Sequence, residues 1–99
     1  MKTILIGKVT DIKEIEKKES YSSQSFHILV QEYNQATGEK KDPQIFPVKV
    51  FNKKIQELEV KQYEGKIVKA TCWLRSLTSV KESGVFFNIA LNCTDIEII

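Results

Sequence analysis

Four residues in the middle of the chain have types and spacing that suit binding rather than bond-making. Lys49 and Phe51 stand two apart in the run IFPVKVF, and Trp73 and Arg75 stand two apart in IVKATCWLRS. In an extended chain, residues two apart share a face. Each pair therefore sets a flat ring beside a cation. Rings stack on planar groups and cations neutralise phosphates, the two needs of a single-strand binder, where stacking contributes ~1–3 kcal/mol per base. Tyr33, at the end of another apolar run, adds a ring. Tyr21, Lys40, Lys41 and Lys81 add rings and charge from polar stretches, Lys53 from a helix start, and Phe86 from the beginning of the last strand. Aromatic residues in strands are often core. Lys49 and Arg75 are less ambiguous, because an unpaired charge is rarely buried.

Signals for catalysis are missing. The single histidine, His27, sits mid-strand with no nucleophile near it in sequence, and reads as a strand-surface residue. No glycine-rich phosphate loop and no G-x-S-x-G occurs. The carboxylates fall beside lysines, as in Glu14–Glu19 and Glu39–Asp42, the pattern of a solvated face. Cys72 and Cys93 lie in apolar strand patterns without metal-ligand spacing, so they read as buried free thiols. We expect no enzyme activity, no metal and no cofactor.

The elements that must position these residues can be read in order. A length of 99 residues sets one domain, 1–99, and a net charge of +2 leaves any nucleic-acid binding to a local patch. Thr3–Ile15 reads as a first strand with Ile4 and Ile6 in phase, a bend or bulge at Gly7, and a shifted phase from Val9. Glu16–Gln24 reads as a loop. Ser25–Tyr33 is the second strand, with Phe26, Ile28 and Val30 inward. Asn34–Asp42 is a hairpin loop turning at Gly38. Pro43–Phe51 is the third strand, with Phe46, Val48 and Val50 inward, and Ile45, Pro47, Lys49 and Phe51 outward. Pro47 lacks an N–H and needs a place where no ladder bond is required.

Asn52 then suits an N-cap, and NKKIQELEVKQYEG reads as a short amphipathic helix carrying Ile55 and Leu58, with Gly65 after its end. Lys66–Ser76 is the fourth strand, with Val68, Ala70, Cys72 and Leu74 inward. Leu77–Gly84 reads as a loop. Val85–Ile99 is the fifth, with Phe87, Ile89, Leu91 and Cys93 in phase and a break at Thr94-Asp95 before Ile96 and Ile98. Five strands with a helix between the third and fourth predict an all-β fold, a five-stranded Greek-key barrel of the OB type. No apolar run approaches a membrane span, and no signal peptide opens the chain, so a soluble, cytoplasmic protein is expected.

The residues also resemble the bacterial-type single-stranded DNA-binding protein family over nearly the whole length. TILIGKVTDI resembles that family's first strand. ATGEKKDPQIFPVKVFNKKIQE resembles its second hairpin, third strand and helix start, with the junction Val50-Phe51-Asn52-Lys53. YEGKIVKATCWLRS resembles its helix end and fourth strand, with Leu74-Arg75. The resemblance implies single-strand binding, with Phe51 at a position where the family stacks a base and Tyr33 near another. The chain departs from the pattern at Ile45, where the family usually carries tryptophan, and at Pro47, where it usually carries a basic residue. The family's acidic tail does not follow Ile99, which points to a specialised copy, such as one from a mobile element.

The expected function is binding of single-stranded DNA with little sequence specificity, in replication or recombination. A homo-oligomer, dimer or tetramer, is expected because an open barrel leaves strand edges to pair. Two rivals are an interaction module that binds replication or primosome proteins, and an RNA binder of the cold-shock kind.

Overall fold

The computed structural model describes residues 1–99, the side chains of 86 and 87 excepted. Phe86 as a stacking ring and Phe87 as a core residue lie outside the described side chains.

The strands are β1 (Lys2–Thr10), β2 (Glu16–Lys17), β3 (Ser22–Val30), β4 (Gln44–Phe51), β5 (Ile67–Lys81) and β6 (Gly84–Ile98). Between β4 and β5 lie α1 (Lys53–Leu58) and a 3-10 turn, Val60–Tyr63. The sheet runs β1-β5-β6-β4-β3-β2, and β1 also pairs with β3. That last pairing closes the sheet into a barrel of the five long strands, with the helix between the third and fourth of them. The β4–β6 contact is parallel and is made at one register pair, Lys49↔Asn92. Long strand one meets two and four, and three meets five in parallel, which is the OB topology expected.

The core follows the alternation. Phe26 and Ile28 of β3, Val48 and Val50 of β4, and Val68, Ala70 and Cys72 of β5 are all buried. Burying a ring such as Phe26 contributes roughly 1.5–3 kcal/mol. Ile55, Leu58 and Val60 cap one end of the barrel. Cys72 and Cys93 are free and buried, facing one another across β5 and β6. The break at Thr94-Asp95 is a β-bulge: Thr71 pairs with Asp95 and Cys72 with Cys93, which leaves Thr94 unpaired.

Several sequence expectations are corrected. Along β1 the inward residues are Thr3, Leu5, Gly7 and Val9, with no phase shift. Ile4 and Ile6 point outward and are exposed. Gly7 marks a close crossing rather than a bulge: a Cβ there would stand 2.4 Å from the carbonyl oxygen of Leu29. β1 ends at Thr10, and Asp11 turns the chain at φ 51.

β3 begins at Ser22, inside the expected loop, because Ser23 and Gln24 are buried polar residues. The Gln24 amide donates to the Lys13 carbonyl at 3.1 Å. Tyr33 falls beyond the strand, in an isolated bridge with Lys40. The expected loop 77–84 is strand almost throughout, so β5 and β6 form a long hairpin reaching past the barrel, and Ile89, expected in phase with the core, is exposed on it. Ile98, at the barrel's end, is exposed as well.

Asn52 occupies the N-cap position without a side-chain cap. Its Oδ1 instead accepts from the Ser22 N–H at 3.0 Å, tying the end of β4 to the start of β3. Glu59, in the left-handed region at φ 46, ends α1 and begins the 3-10 turn, so the expected single helix is two short pieces. Pro47 faces His27 in β3, and on its other side β4 pairs only at Lys49, so its missing donor leaves no gap in a ladder. Among the described residues no helix is long and apolar enough to cross a membrane.

Candidate nucleic-acid interface

The outward rows of β3 and β4 lie side by side. Register pairs Ser23 with Phe51, Ser25 with Lys49, His27 with Pro47 and Leu29 with Ile45. The β5–β6 hairpin rises beside this surface and turns it into a groove of about 350 Å³. It is lined by Lys49 and Phe51 of β4, by Arg75, Leu77 and Asn92 of the hairpin strands, and by Asp11, Lys13 and His27.

Phe51 is half-buried. Tyr21, just before β3, leans on it with ring centroids 6.0 Å apart and planes at 54°, a tilted contact that holds the Phe51 ring in place. The two rings share a second cavity with Asn52, Arg75 and Asn92, adjoining the groove. A base entering there would meet one ring already fixed by another.

Electrostatics divide the groove. The Lys13 Nζ lies 3.0 Å from Asp11 Oδ1, and the His27 Nδ1 lies 3.3 Å from Asp11 Oδ2. The hydrogen bond from Lys13 holds the Asp11 carboxyl below its ordinary value, and the charges of Lys13 and His27 act in the same direction. Lys49 and Arg75, both exposed, have no carboxylate partner among the described residues. Their charges are open to an anion, and the arrangement can hold a phosphate beside a stacked planar ring. It contains no nucleophile–base pair.

The other sequence candidates are placed elsewhere. Tyr33 is 53% exposed and lines a separate cavity in the 31–41 loop with Lys41. Lys40 is adjacent through its backbone bridge to Tyr33. Lys53 is exposed at the start of α1. Trp73 is outward on β5 and 49% exposed, between Lys2 of β1 and Asn92 of β6, and does not line the groove. Its neighbours on that flank are Ile4, opposite Thr71, and Ile6, opposite Lys69.

The structure thus brings Lys49, Phe51, Arg75 and Tyr21 together, and leaves Tyr33, Lys40 and Lys41 as a second cluster. Sequence reasoning missed Asp11, Lys13 and Asn92, and assigned His27 no site role. A signal existed for Asp11: Asp tolerates the left-handed conformation, so it suits a turn that ends a strand.

No protein-family model matches the chain, and no curated protein matches it in sequence. Solved structures do match in shape. Rim1, a mitochondrial single-stranded DNA-binding protein from S. cerevisiae, is similar over 100% of this chain and 94% of its own, with a TM-score of 0.70 and 16% identity. A small single-stranded DNA-binding protein from Streptomyces coelicolor covers the same shares, with a TM-score of 0.65 and 14% identity. A second, selenomethionine-labelled structure of Rim1 gives 0.63 and 12%. The fold is therefore the OB barrel that these single-stranded DNA-binding proteins have.

Proposed function

We propose that this protein binds single-stranded DNA in the groove between the β3–β4 face and the β5–β6 hairpin, with little overall sequence preference. One observation carries the reading: a half-buried ring, Phe51, shares one groove with two cations, Lys49 and Arg75, that have no protein partner among the described residues. Bases stack on Phe51 with Tyr21 behind it, and the cations hold phosphates. Tyr33, Lys40 and Lys41 extend the path onto the loop, with Lys53 as a further backbone contact. The similarity to two proteins that bind single-stranded DNA supports this reading. The process served is DNA replication or recombination.

The active form is a homo-oligomer. β1 pairs with β5 along Lys2–Lys8 but meets β3 only from Lys8, so one edge of Lys2–Ile6 has no ladder partner among the described residues. Ile4 and Ile6 beside that edge are 49% and 55% exposed. An open edge with outward aliphatic residues favours pairing with a second copy. Trp73, on the same flank, then belongs to the oligomer surface.

Titration of fluorescent oligonucleotides tests the binding. The expected result is tight, length-dependent association with single strands that weakens as salt rises. Equal affinity for duplex, or no binding at low salt, refutes it. A flat titration together with capture of a helicase or primase would select the interaction-module alternative.

A further inference from the structure

We propose that Asn92 gives one position of the bound strand a preference for adenine. The inference rests on the reading above and adds a residue that reads a base edge where the rest of the groove reads only ring and charge.

Three observations converge on this side chain. Asn92 is half-buried on β6, yet its carboxamide has no hydrogen-bond partner among the described residues. Its polar atoms are not cut off from solvent, so in the free protein water occupies them and a ligand edge can take the water's place. Second, Asn92 lines both the groove and the cavity that holds Tyr21 and Phe51, so it stands where the two spaces join. Third, its register partners are Lys49 on β4 and Trp73 on β5, so the carboxamide lies on the same outward row as a phosphate-holding cation. The other amides nearby have their oxygens engaged: the Asn52 Oδ1 accepts from the Ser22 N–H, and the Asn88 Oδ1 accepts from the Ile89 N–H at 2.9 Å.

A carboxamide offers one acceptor and one donor side by side. A base stacked on Phe51 lies in the cavity that Asn92 also lines, so one of its edges can meet the carboxamide. Adenine presents a neighbouring donor and acceptor on both edges that face away from its sugar: N6–H with N7, and N6–H with N1. Cytosine and thymine present such a pair on one edge only, and guanine's N7 edge carries two acceptors. Whichever edge is turned to Asn92, adenine can satisfy the amide twice.

The test uses the full chain and thymidine oligomers of fixed length, with and without isolated adenines at successive positions. Isolated adenines avoid the self-stacking of adenine runs. The expected result is that an adenine at the favoured position tightens binding by about fivefold, the low end of what a bidentate base contact gives. Asn92→Leu removes that difference, so that the adenine-containing and all-thymidine oligomers bind alike. Asn92→Thr, which suits a strand, serves as the second variant should the leucine disturb folding, and gives the same loss of preference. Equal wild-type affinity for all the oligomers overturns the inference and leaves single-strand binding intact. A variant that weakens every oligomer equally also overturns it. Absence of any wild-type binding refutes the underlying reading as well.

Discussion

Two outward faces of one barrel differ in what they present. On the groove side, β4 offers Lys49 and Phe51, and the hairpin offers Arg75. On the neighbouring flank, β1 offers Ile4 and Ile6, and β5 offers Trp73 beside Asn92. Both faces come from the same period-two alternation, and both carry exposed residues that a purely structural barrel has no need of. The groove side sets cations without partners around a ring that is held in place. The flank sets aliphatic residues next to an unpaired strand edge. The first suits a charged, planar ligand, the second another copy of the same surface. Counting exposed apolar residues would not tell these faces apart; charge and the state of the backbone edge do.

The largest expected effect removes both faces at once. Gly7→Ala places a Cβ against the Leu29 carbonyl where β1 crosses β3. Crowding backbone in this way costs roughly 2–3 kcal/mol, so melting should shift downward sharply, with binding and association lost together. An unchanged melting temperature would mean that the crossing is looser than described.

Phe51→Ala should affect the groove side alone. Affinity for single strands should fall by about 1–3 kcal/mol, with sedimentation unchanged and only a small loss of stability. If stability collapses while per-molecule affinity holds, Phe51 is core and the groove is not the site. Ile6→Glu is the converse. It should shift the oligomer to monomer in analytical ultracentrifugation at micromolar concentration, while each protomer keeps its affinity for a short oligonucleotide. If binding falls and assembly does not, the assignments of the two faces are exchanged.

The smallest effect concerns Asp11, the one acid lining the groove among the described residues. Its carboxyl is held low, chiefly by the hydrogen bond from Lys13. A depressed folded value means that the stabilisation from this contact is present above the ordinary carboxylate range and is lost as pH falls through the lowered value. Lys13→Met should move the Asp11 titration upward in an NMR experiment. Over the same acid range, phosphate affinity should rise slightly as the groove loses its negative charge. A titration that stays put in the variant would show that Lys13 does not set it.

The centre of the fold was legible in the sequence. β4, the turn into α1, and the alternating faces of β4 and β5 could be read because uncharged apolar residues there face in and charged ones face out. β1 misled because Ile4 and Ile6 look like core residues, and only the placement of Gly7 against Leu29 fixes which face is inward. The start of β3 misled in the opposite sense, since Ser23 and Gln24 are polar yet buried, with the Gln24 amide satisfied by a backbone carbonyl 11 residues away. The groove was half legible. Lys49 and Phe51 lie on one strand, but their meeting with Arg75, Asn92 and Asp11 comes from strand pairings that no local pattern encodes.

The lone register pair Lys49↔Asn92 has a mechanical consequence. The barrel is two stiff leaves, one built on β3 and β4 and the other on β1, β5 and β6. They are fastened at the Lys8–Thr10 seam and at this single clasp. The groove spans the clasp, so it can widen by rocking one leaf against the other with few hydrogen bonds lost. A strand seated across it would act as a rivet. Since a ligand that binds only the folded form stabilises it, occupancy should slow amide exchange at both fastenings, the clasp and the seam, whose His27 also lines the groove.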